Sequence, residues 1–324
     1  MTHTILNPRL QAGIDEKLAR LNSLRPLPPS VVAKLRDQFA IEMTYNSNAI
    51  EGNSLTLKET AWIIKDGLTI KGKPLRDHLE ARDHYQALSY LYELIEKGSR
   101  QTVSEVLIRN LHKLVVRETE SEDAGNYRQT NVMITGSDHL PPDSSQVPSA
   151  MSDLVEWLRA NTPKLHPIEL AALIHHKLVY IHPFTDGNGR TARLAMNLIL
   201  LNLGYPLVVI LKNDRRKYYR VLALADKGGY LPLVNFVAQA VERSLNIYLK
   251  TLSPQTEIDK KYQPLSSIAK LTSYSEKYLN LLARFGKIEA HKEKRIWVAT
   301  QDAVGKYIKN RQRQRELKFP LSSL

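Results

Sequence analysis

Residues 182–193 combine side chains that could move a phosphate-linked group. The stretch reads His-Pro-Phe-Thr-Asp-Gly-Asn-Gly-Arg-Thr-Ala-Arg. His182 can accept a proton near neutral pH, and Asp186 offers oxygen atoms to a hard divalent cation. The segment Gly187–Gly189 is free of bulky side chains, so its backbone N–H groups can approach a phosphate. The two arginines that follow are three residues apart on a helix and can serve one polyphosphate.

The sequence around this stretch predicts that two helices hold it. Residues 167–181 are largely apolar and start with proline, which is typical of a buried helix with Pro at its first position. Residues 190–203 have the pattern of a second helix. The glycines therefore lie at a helix N-terminus, where free N–H groups bind anions.

The stretch resembles the signature of the Fic family, H-P-F-x-[DE]-G-N-G-R-x-x-R, at every defined position. The alternative is an ordinary turn after a helix capped by His182, but such a turn needs neither both arginines nor the His-Pro-Phe lead-in. The resemblance implies a mainly α protein, a Fic-type helical bundle with a β-hairpin flap. It also implies a nucleotidyltransferase that moves AMP from ATP to Tyr, Ser or Thr hydroxyls of target proteins and of itself.

The resemblance assigns roles within the stretch. His182 is expected to be the catalytic base, and Asp186 is expected to hold Mg²⁺ or Mn²⁺. Phe184 is expected to face the core and anchor the loop. The residues expected to contact the nucleotide are Gly187, Asn188, Gly189, Arg190, Thr191 and Arg193.

Two tyrosines and an aspartate after the stretch extend the resemblance. Tyr218 and Asp226 are expected to border the nucleoside, although a core tyrosine with a wet hydroxyl would look the same. Family members more often carry Asn where Asp226 stands. His175 and His176 are expected to be helix residues without a catalytic role, because no carboxylate stands at metal-ligand spacing from them.

A second motif lies near the N-terminus. A helix is predicted from Ser30 to about residue 46, and Thr56 to Glu59 has capping-box spacing for the next one. The residues between them, Ser47-Asn48-Ala49-Ile50-Glu51-Gly52, fit an ordinary helix end with a left-handed glycine. They also resemble the inhibitory motif [ST]-x-x-x-E-[GN] of Fic proteins. That resemblance implies that Glu51 pairs with Arg193 and blocks productive seating of ATP.

The segment after residue 125 has strand character. Asn131 to Thr135 followed by a turn at 136–138 predicts a β-hairpin, which could be a plain loop cover. In the family the matching segment is a flap that holds the target in extended form by strand addition. The flap residues expected to lie at the nucleotide site are Val132, Met133, Ile134 and Thr135.

The domain plan has four parts. Residues 1–75 form a helical segment that carries the inhibitory motif and packs on a catalytic core, residues 76–252. Residues 253–263 form a linker, and residues 264–324 resemble a winged helix-turn-helix domain. This domain is predicted to contain helices at 265–271 and from Ser273 to Phe285, two strands at 288–291 and 296–299, and a last helix capped by Thr300. It is either a DNA-binding module or a dimerisation or docking module.

Charge and composition narrow the class of protein. The net charge is +13, and residues 255–324 hold 15 Lys and Arg against seven Asp and Glu, which suits a polyanionic partner such as DNA. The chain has no cysteine, which excludes disulfides and thiolate metal sites. No continuous apolar segment begins the chain, so we expect no signal peptide and no membrane association. The absence of cysteine suits the reducing cytoplasm, which is the expected location. We also expect a homodimer. Alternative functions are a DNA-binding regulator with a nucleotide-sensing core, or a bifunctional enzyme that also removes AMP.

Overall fold

The computed structural model describes residues 5–96, 103–252, 262–293 and 295–318 of the chain. These residues form two compact units, Met1–Lys250 and Thr251–Leu324. The fold is mainly α with one small sheet, which confirms the predicted fold class. The expected linker, 253–263, lies outside the described residues except for its last two, which are part of a strand.

Ten helices are described in the first unit. Their bounds are α1 Pro8–Ser23, α2 Pro29–Glu51, α3 Leu57–Asp66, α4 Leu75–Glu96, α5 Glu105–Val115, α6 Val147–Asn161, α7 Pro167–Ile181, α8 Asn188–Asn202, α9 Arg215–Asp226 and α10 Leu231–Leu252. Short 3₁₀ turns precede α6 and α9, at Ser144–Gln146 and Lys212–Asp214. Within the described part of the chain, none of the helices combines the length and apolar character that crossing a bilayer requires.

The helices α7 and α8 form the centre of this unit. Both are buried on nearly every side, but only α7 is largely apolar, whereas α8 also buries polar side chains such as Arg190, Arg193 and Asn197. Pro167 opens α7, and a capping box between His166 and Glu169 satisfies its first N–H groups. Helix α8 packs against α7, α5, α4 and α2. The loop between α7 and α8 is therefore fixed at both ends by the core.

Helix α2 is longer than the sequence pattern predicts. It continues through the inhibitory motif to Glu51, five residues past the expected end, and stops at Gly52, whose φ is +110°. Only glycine adopts that left-handed conformation without steric cost. The predicted capping box of α3 is confirmed, because Thr56 and Glu59 exchange both side-chain-to-backbone bonds. Residues 47–51 of the motif are thus helical, and Glu51 is the last residue of α2.

The predicted β-hairpin over residues 131–138 is wrong. The segment is an extended loop without a strand, closed by side chains: Asn131 donates to Asp143 (2.7 Å) and accepts from the Ser144 amide (2.7 Å). Pro141 and Pro142 occupy the return arm, and proline has no N–H to give to a ladder. Burial still alternates along the loop, and Met133 is 84% exposed.

The second unit holds the only sheet in the described residues. Its elements are β1 Tyr262–Pro264, α11 Leu265–Ala269, α12 Glu276–Arg284, β2 Ala290–Glu293, β3 Ile296–Thr300 and α13 Gln301–Lys318. The sheet is antiparallel in the order β1-β3-β2, with Gln263 opposite Ala299 and His291 opposite Val298. A separate core fills the unit, built from Leu265, Ile268, Leu279, Leu282, Ile288, Ala299 and Val304.

Several details of this unit differ from the sequence-based prediction. The first helix ends at Ala269 rather than at 271, and strand β2 lies two residues later than the predicted 288–291. Strand β1 was not expected, since three residues containing a proline give little strand signal. Helix α12 starts two residues later than a cap at Ser273 implies, because Ser275 accepts the N–H of Tyr278 (3.3 Å). The predicted cap of the last helix is confirmed, with the Ala303 amide donating to the Thr300 hydroxyl (3.1 Å).

Candidate active site

His182 ends α7 in a left-handed conformation that turns the chain sharply into the loop. It is the only non-glycine residue of the described chain with positive φ, at +50°, and its amide still donates to Leu178 (3.0 Å). Its Nδ1 lies 3.2 Å from the Val179 carbonyl. A carbonyl only accepts hydrogen bonds, so Nδ1 carries the proton and Nε2 keeps its lone pair. Burial lowers the pKa of His182 below its ordinary value, so the ring is neutral at pH 7.

Arg128 fixes the backbone of His182 from the other side. This buried guanidinium donates to the carbonyl of His182 (2.8 Å) and to that of Thr130 (3.0 Å). The Arg128 amide donates to Pro183 (3.0 Å). One side chain therefore joins the base of the extended loop to the histidine. Sequence reasoning missed Arg128, because its partners are carbonyls distant in sequence and leave no local pattern.

The glycines place the start of α8 against the core. Gly187 has a φ of +73°, and a Cβ there would lie 2.8 Å from Val116, so no other residue fits. The Asn188 side chain donates to and accepts from the backbone of Phe184 (2.8 and 2.9 Å). Phe184 in turn stacks on the His112 ring at 3.6 Å. Only the backbone of Asn188 therefore remains for a ligand, while Phe184 anchors the loop as predicted.

Asp186 lies between two guanidinium groups. Its Oδ2 accepts from Arg76 (2.7 Å) and from Arg190 (3.1 Å), and its Oδ1 accepts from the Gly187 amide (2.5 Å). Burial raises the pKa of Asp186, but the two arginines and the amide outweigh burial and hold that pKa below its ordinary value. The carboxylate is ionised at neutral pH. Arg190 is fully buried and also approaches Glu80 (3.5 Å).

The Asp186 carboxylate and its surroundings fit a Mg²⁺ or Mn²⁺ ion that is bound together with a nucleotide. Such an ion takes one or two carboxylates from the protein and completes its shell with phosphate oxygens and water. Asp186 supplies one ionised carboxylate beside the free N–H groups of a helix N-terminus. No cluster of three acidic or histidine ligands exists in the described residues, so a cation here depends on the phosphates.

Arg193 is held by the inhibitory motif. The guanidinium is 1% exposed and donates from Nε to the Ser47 hydroxyl (2.9 Å). Its Nη2 donates to the Ser47 carbonyl (2.8 Å) and to Glu51 (2.7 Å). Burial lowers the pKa of Arg193, but Glu51 and Tyr218 outweigh burial and raise it. The structure thus brings together the two residues that the resemblance paired across 142 positions of sequence.

Glu51 also covers the first turn of α8. A Cβ added to Gly189 would overlap the Glu51 Oε1 atom and would lie 3.2 Å from an Arg193 nitrogen. The carboxylate therefore rests on the helix N-terminus, whose first N–H groups lack intrahelical acceptors. Glu51 occupies the position where an anionic ligand would bind. The Thr191 hydroxyl is buried nearby, with no hydrogen-bond partner in the described part of the chain.

Tyr218 and Asp226 are engaged by histidines of α7. The Tyr218 hydroxyl lies 2.8 Å from His175 Nε2 and accepts from Arg193 (3.4 Å), and Asp226 lies 2.9 Å from His176 Nε2. Both histidines are residues of α7, as predicted, and the carboxylate beside His176 comes from α9 rather than from a position at metal-ligand spacing. Burial lowers the pKa of both histidines, so both are neutral near pH 7. The nucleoside contacts of Tyr218 and Asp226 stay predictions.

Comparisons with known proteins agree with this geometry. A model of the Fic/DOC family matches residues 102–200. "Protein adenylyltransferase Fic" of Nematostella vectensis is 41% identical over 246 residues, which is 75% of this chain and 56% of that protein. The Drosophila willistoni protein of the same name is 35% identical, over 75% of this chain and 48% of its own. The chain thus spans about half the length of these curated relatives.

Two solved structures match this chain over most of their own length. A Fic domain containing signaling protein from Bacteroides thetaiotaomicron has a TM-score of 0.68 and 30% identity, over 74% of this chain and 97% of its own. A Fic-1 structure from C. elegans has a TM-score of 0.67 and 33% identity, over 75% and 71%. Fold and site define a helical domain that sets a neutral histidine beside an anion-binding helix N-terminus. The chain belongs to the Fic/DOC family.

Proposed function

We propose that this chain transfers AMP from ATP to a hydroxyl side chain of a target protein. The observation that carries the proposal is the neutral His182, with Nδ1 bound to a carbonyl and Nε2 free of any protein partner in the described residues. Such a nitrogen can take a proton from an attacking hydroxyl. The printed names of the relatives from Nematostella and Drosophila support the same reaction.

The proposed step balances in one displacement. A Tyr, Ser or Thr oxygen of the target attacks the α-phosphorus of ATP and passes its proton to His182 Nε2. The bond from the α-phosphorus to the bridging oxygen breaks, and pyrophosphate leaves with that electron pair. Free N–H groups of Asn188 and Gly189 support the phosphates without needing to reorganise. The two arginines, Arg190 and Arg193, balance the charge that develops on pyrophosphate.

Asp186 is the residue that would hold a divalent cation in this scheme. A bound Mg²⁺ supplies positive charge to the phosphate oxygens, as in other nucleotide sites. Arg190 then has a second role, since its buried guanidinium fixes the Asp186 carboxylate in place (3.1 Å).

Loss of the metal ligand gives a direct test of this assignment. We expect Asp186→Asn to lose AMP transfer together with its response to added Mg²⁺ or Mn²⁺. The reason is that a neutral amide cannot replace a carboxylate on a hard cation. We also expect EDTA to stop the wild-type reaction, because it removes the cation. The measurement is label transfer across a Mg²⁺ titration. Undiminished transfer in EDTA would remove the cation from the mechanism.

The extended loop 131–135 supports a proposal for how the target is held. Its side chains alternate between half-buried and exposed, and its backbone forms no ladder within the described chain. An extended target segment could add to it as a strand, through backbone hydrogen bonds that demand little sequence. The target hydroxyl would then reach His182 from a fixed direction, since Arg128 ties loop and histidine together.

The position of the label tests the reaction class. Glu51→Gly protein is incubated with cell lysate and with ATP labelled on either the α- or the γ-phosphate. AMP transfer puts only the α-label on protein, whereas a kinase would transfer only the γ-label. Mass spectrometry of labelled proteins identifies the target and the modified hydroxyl.

A second function, DNA binding by the C-terminal unit, is favoured by one groove. The groove, of about 660 Å³, lies between α12 and the β2–β3 hairpin of this unit. Four exposed basic residues line it, and none of them has an ion pair among the described residues: Lys277, Arg284, Lys292 and Arg295. We propose that α12 and the hairpin bind duplex DNA as a winged helix-turn-helix, with these cations on phosphates. Lys294, which stands between Lys292 and Arg295 in the sequence, lies outside the described residues.

Salt dependence tests the DNA proposal. We expect Lys292→Ala and Arg295→Ala, in the full chain, each to weaken binding to a generic duplex. Each should also flatten the slope of log K against log salt by about 0.9, because one phosphate contact is lost. Lys306→Ala is the matched control, since Lys306 pairs with Asp302 (2.8 Å) in the same unit and lies outside the hairpin. Salt-independent binding, or none, would favour a docking or dimerisation module. The cytoplasmic location and the homodimer stay predictions.

A further inference from the structure

Arg76 is a second guanidinium at the Asp186 carboxylate, and the mechanism above does not use it. It lies in the first turn of α4, and its Nη2 is 2.7 Å from Asp186 Oδ2 and 3.1 Å from Glu120. Its Nε lies 3.4 Å from Glu80. Three carboxylates from three separate segments thus converge on one cationic side chain.

The two arginines at Asp186 differ in freedom. Arg190 is 1% exposed and locked in the core, whereas the Arg76 side chain is 54% exposed. A cation in the first turn of a helix is also disfavoured by the helix dipole, which opposes the weak i,i+4 pair of Arg76 with Glu80. Pairs between exposed charges are weak and break readily. Arg76 can therefore leave Asp186, and Arg190 cannot.

We propose that Arg76 guards the metal carboxylate, so that its contact with Asp186 and a bound divalent cation exclude one another. This inference rests on the proposed metal role of Asp186. The exclusion is local, because the buried Arg190 and the more exposed Arg76 both donate to Asp186 Oδ2, at 3.1 and 2.7 Å. A metal ion bound to Asp186 Oδ2 would lie in contact with the Arg76 guanidinium. Two positive charges would then repel each other at a single oxygen atom.

This guard is separate from the pair between Glu51 and Arg193. Glu51 blocks the anion side of the site by covering Gly189, whereas Arg76 blocks the cation side. Arg76 shares no partner with Glu51 among the described contacts. Release of Arg76 by the nucleotide-bound cation would leave Glu80 and Glu120 to attract the ion without ligating it.

Mn²⁺ binding tests the guard without measuring catalysis. Free Mn²⁺ is counted by electron paramagnetic resonance while the full chain is titrated with Mn²⁺ in the presence of ADP. We expect Arg76→Gln to bind Mn²⁺ about three- to tenfold more tightly, in line with loss of a partly exposed charge network. Arg82→Gln is the matched control: Arg82 lies on the same helix, is 55% exposed and, among the residues the structure describes, forms an ion pair with Glu118 alone (4.0 Å). The titration is run near 0.15 M salt, where distant exposed charges are screened.

The outcomes separate this inference from the proposed function. Tighter binding by Arg76→Gln with an unchanged Arg82→Gln supports the guard. Equal affinities of wild type and Arg76→Gln overturn it, as does an equal gain in both glutamine variants. The Asp186→Asn variant tests whether Asp186 binds the cation at all. If that variant still binds Mn²⁺ like wild type, the assignment of Asp186 fails, whatever Arg76 does.

Discussion

Replacing His182 with alanine is expected to lower the rate of AMP transfer by about 10²–10⁴-fold, the usual cost of removing a general base. An unactivated hydroxyl is a poor nucleophile, so the loss should fall near the upper end. ATP binding should persist, because the phosphate-binding N–H groups and both arginines remain in place. Transfer is followed with α-labelled ATP, and ATP affinity with a fluorescent analogue.

The conformation of His182 dictates the control. The backbone at residue 182 is left-handed, with a φ of +50°, and this conformation costs roughly 1–2 kcal/mol. Alanine has no polar side chain whose local hydrogen bonds could offset that cost. Asparagine adopts this conformation more readily than most residues and carries no base at neutral pH. His182→Asn should therefore lose transfer while keeping the wild-type melting temperature. Near-normal transfer in either variant would contradict the assignment of His182 as the base.

The acid limb of the pH profile gives an independent check on the same residue. Burial lowers the pKa of His182 from 6.5, because the protonated ring loses its hydration. The group is a base, so activity is fully present above that lowered pKa and is lost as pH falls through it. We expect kcat/KM to decline with a midpoint below pH 6.5, the ordinary pKa of histidine. A midpoint above pH 7 would identify another group.

The local part of the site could be predicted because its residues are contiguous in sequence. The turn Asp186-Gly187-Asn188-Gly189 and the start of α8 depend on neighbours a few positions away, and these local rules are strong. The core position of Phe184 is confirmed for the same reason. The fold class could be predicted from helix periodicity and from capping boxes such as Thr56 to Glu59.

Contacts between distant segments could not be predicted from local patterns. Arg128 serves carbonyls of two loops, and Arg76 reaches Asp186 across 110 positions. His175 and His176 find their partners on α9, which no spacing within α7 indicates. The loop 131–138 was misjudged because strand propensity says nothing about a partner strand, and the prolines of its return arm removed that partner. Pairing of Glu51 with Arg193 required the family resemblance.

The Glu51–Arg193 pair leads to the second large expected effect, a strong rise in AMP transfer in Glu51→Gly. Arg193 is 1% exposed and Glu51 is 35% exposed, so the pair is half-buried. Breaking a fully buried pair costs about 3–5 kcal/mol, and solvent screening of Glu51 reduces the cost of displacing it to about 2–3 kcal/mol. A nucleotide that must displace Glu51 then binds productively about 30- to 150-fold less often. Removing the carboxylate should restore that factor at ATP concentrations below saturation.

Glycine at position 51 also weakens the last turn of α2, so the charge must be separated from the helix. Glu51→Gln keeps the length and helix propensity of the side chain and removes only its charge. It should give a smaller gain than glycine, because an amide oxygen can still accept from Arg193. The double variant, Glu51→Gly with Arg193→Ala, should show no gain, since no guanidinium is left to seat the phosphate. Initial rates of α-label transfer across ATP concentrations separate seating from chemistry.

The gain should appear mainly as a lower apparent KM for ATP, because Glu51 and the phosphate compete for one guanidinium and one helix N-terminus. A separate incubation without ATP addresses removal of AMP. If the enzyme also removes AMP with the help of Glu51, the wild-type protein would release labelled AMP from purified modified target, and the Glu51→Gly protein would not. A Glu51→Gly protein with unchanged or lower transfer would make Glu51 a helix-terminal residue that only caps α2. Arg193 would then be held by Ser47, through its hydroxyl and its carbonyl, and by the Tyr218 hydroxyl. Seating of ATP would have to be limited elsewhere in the site.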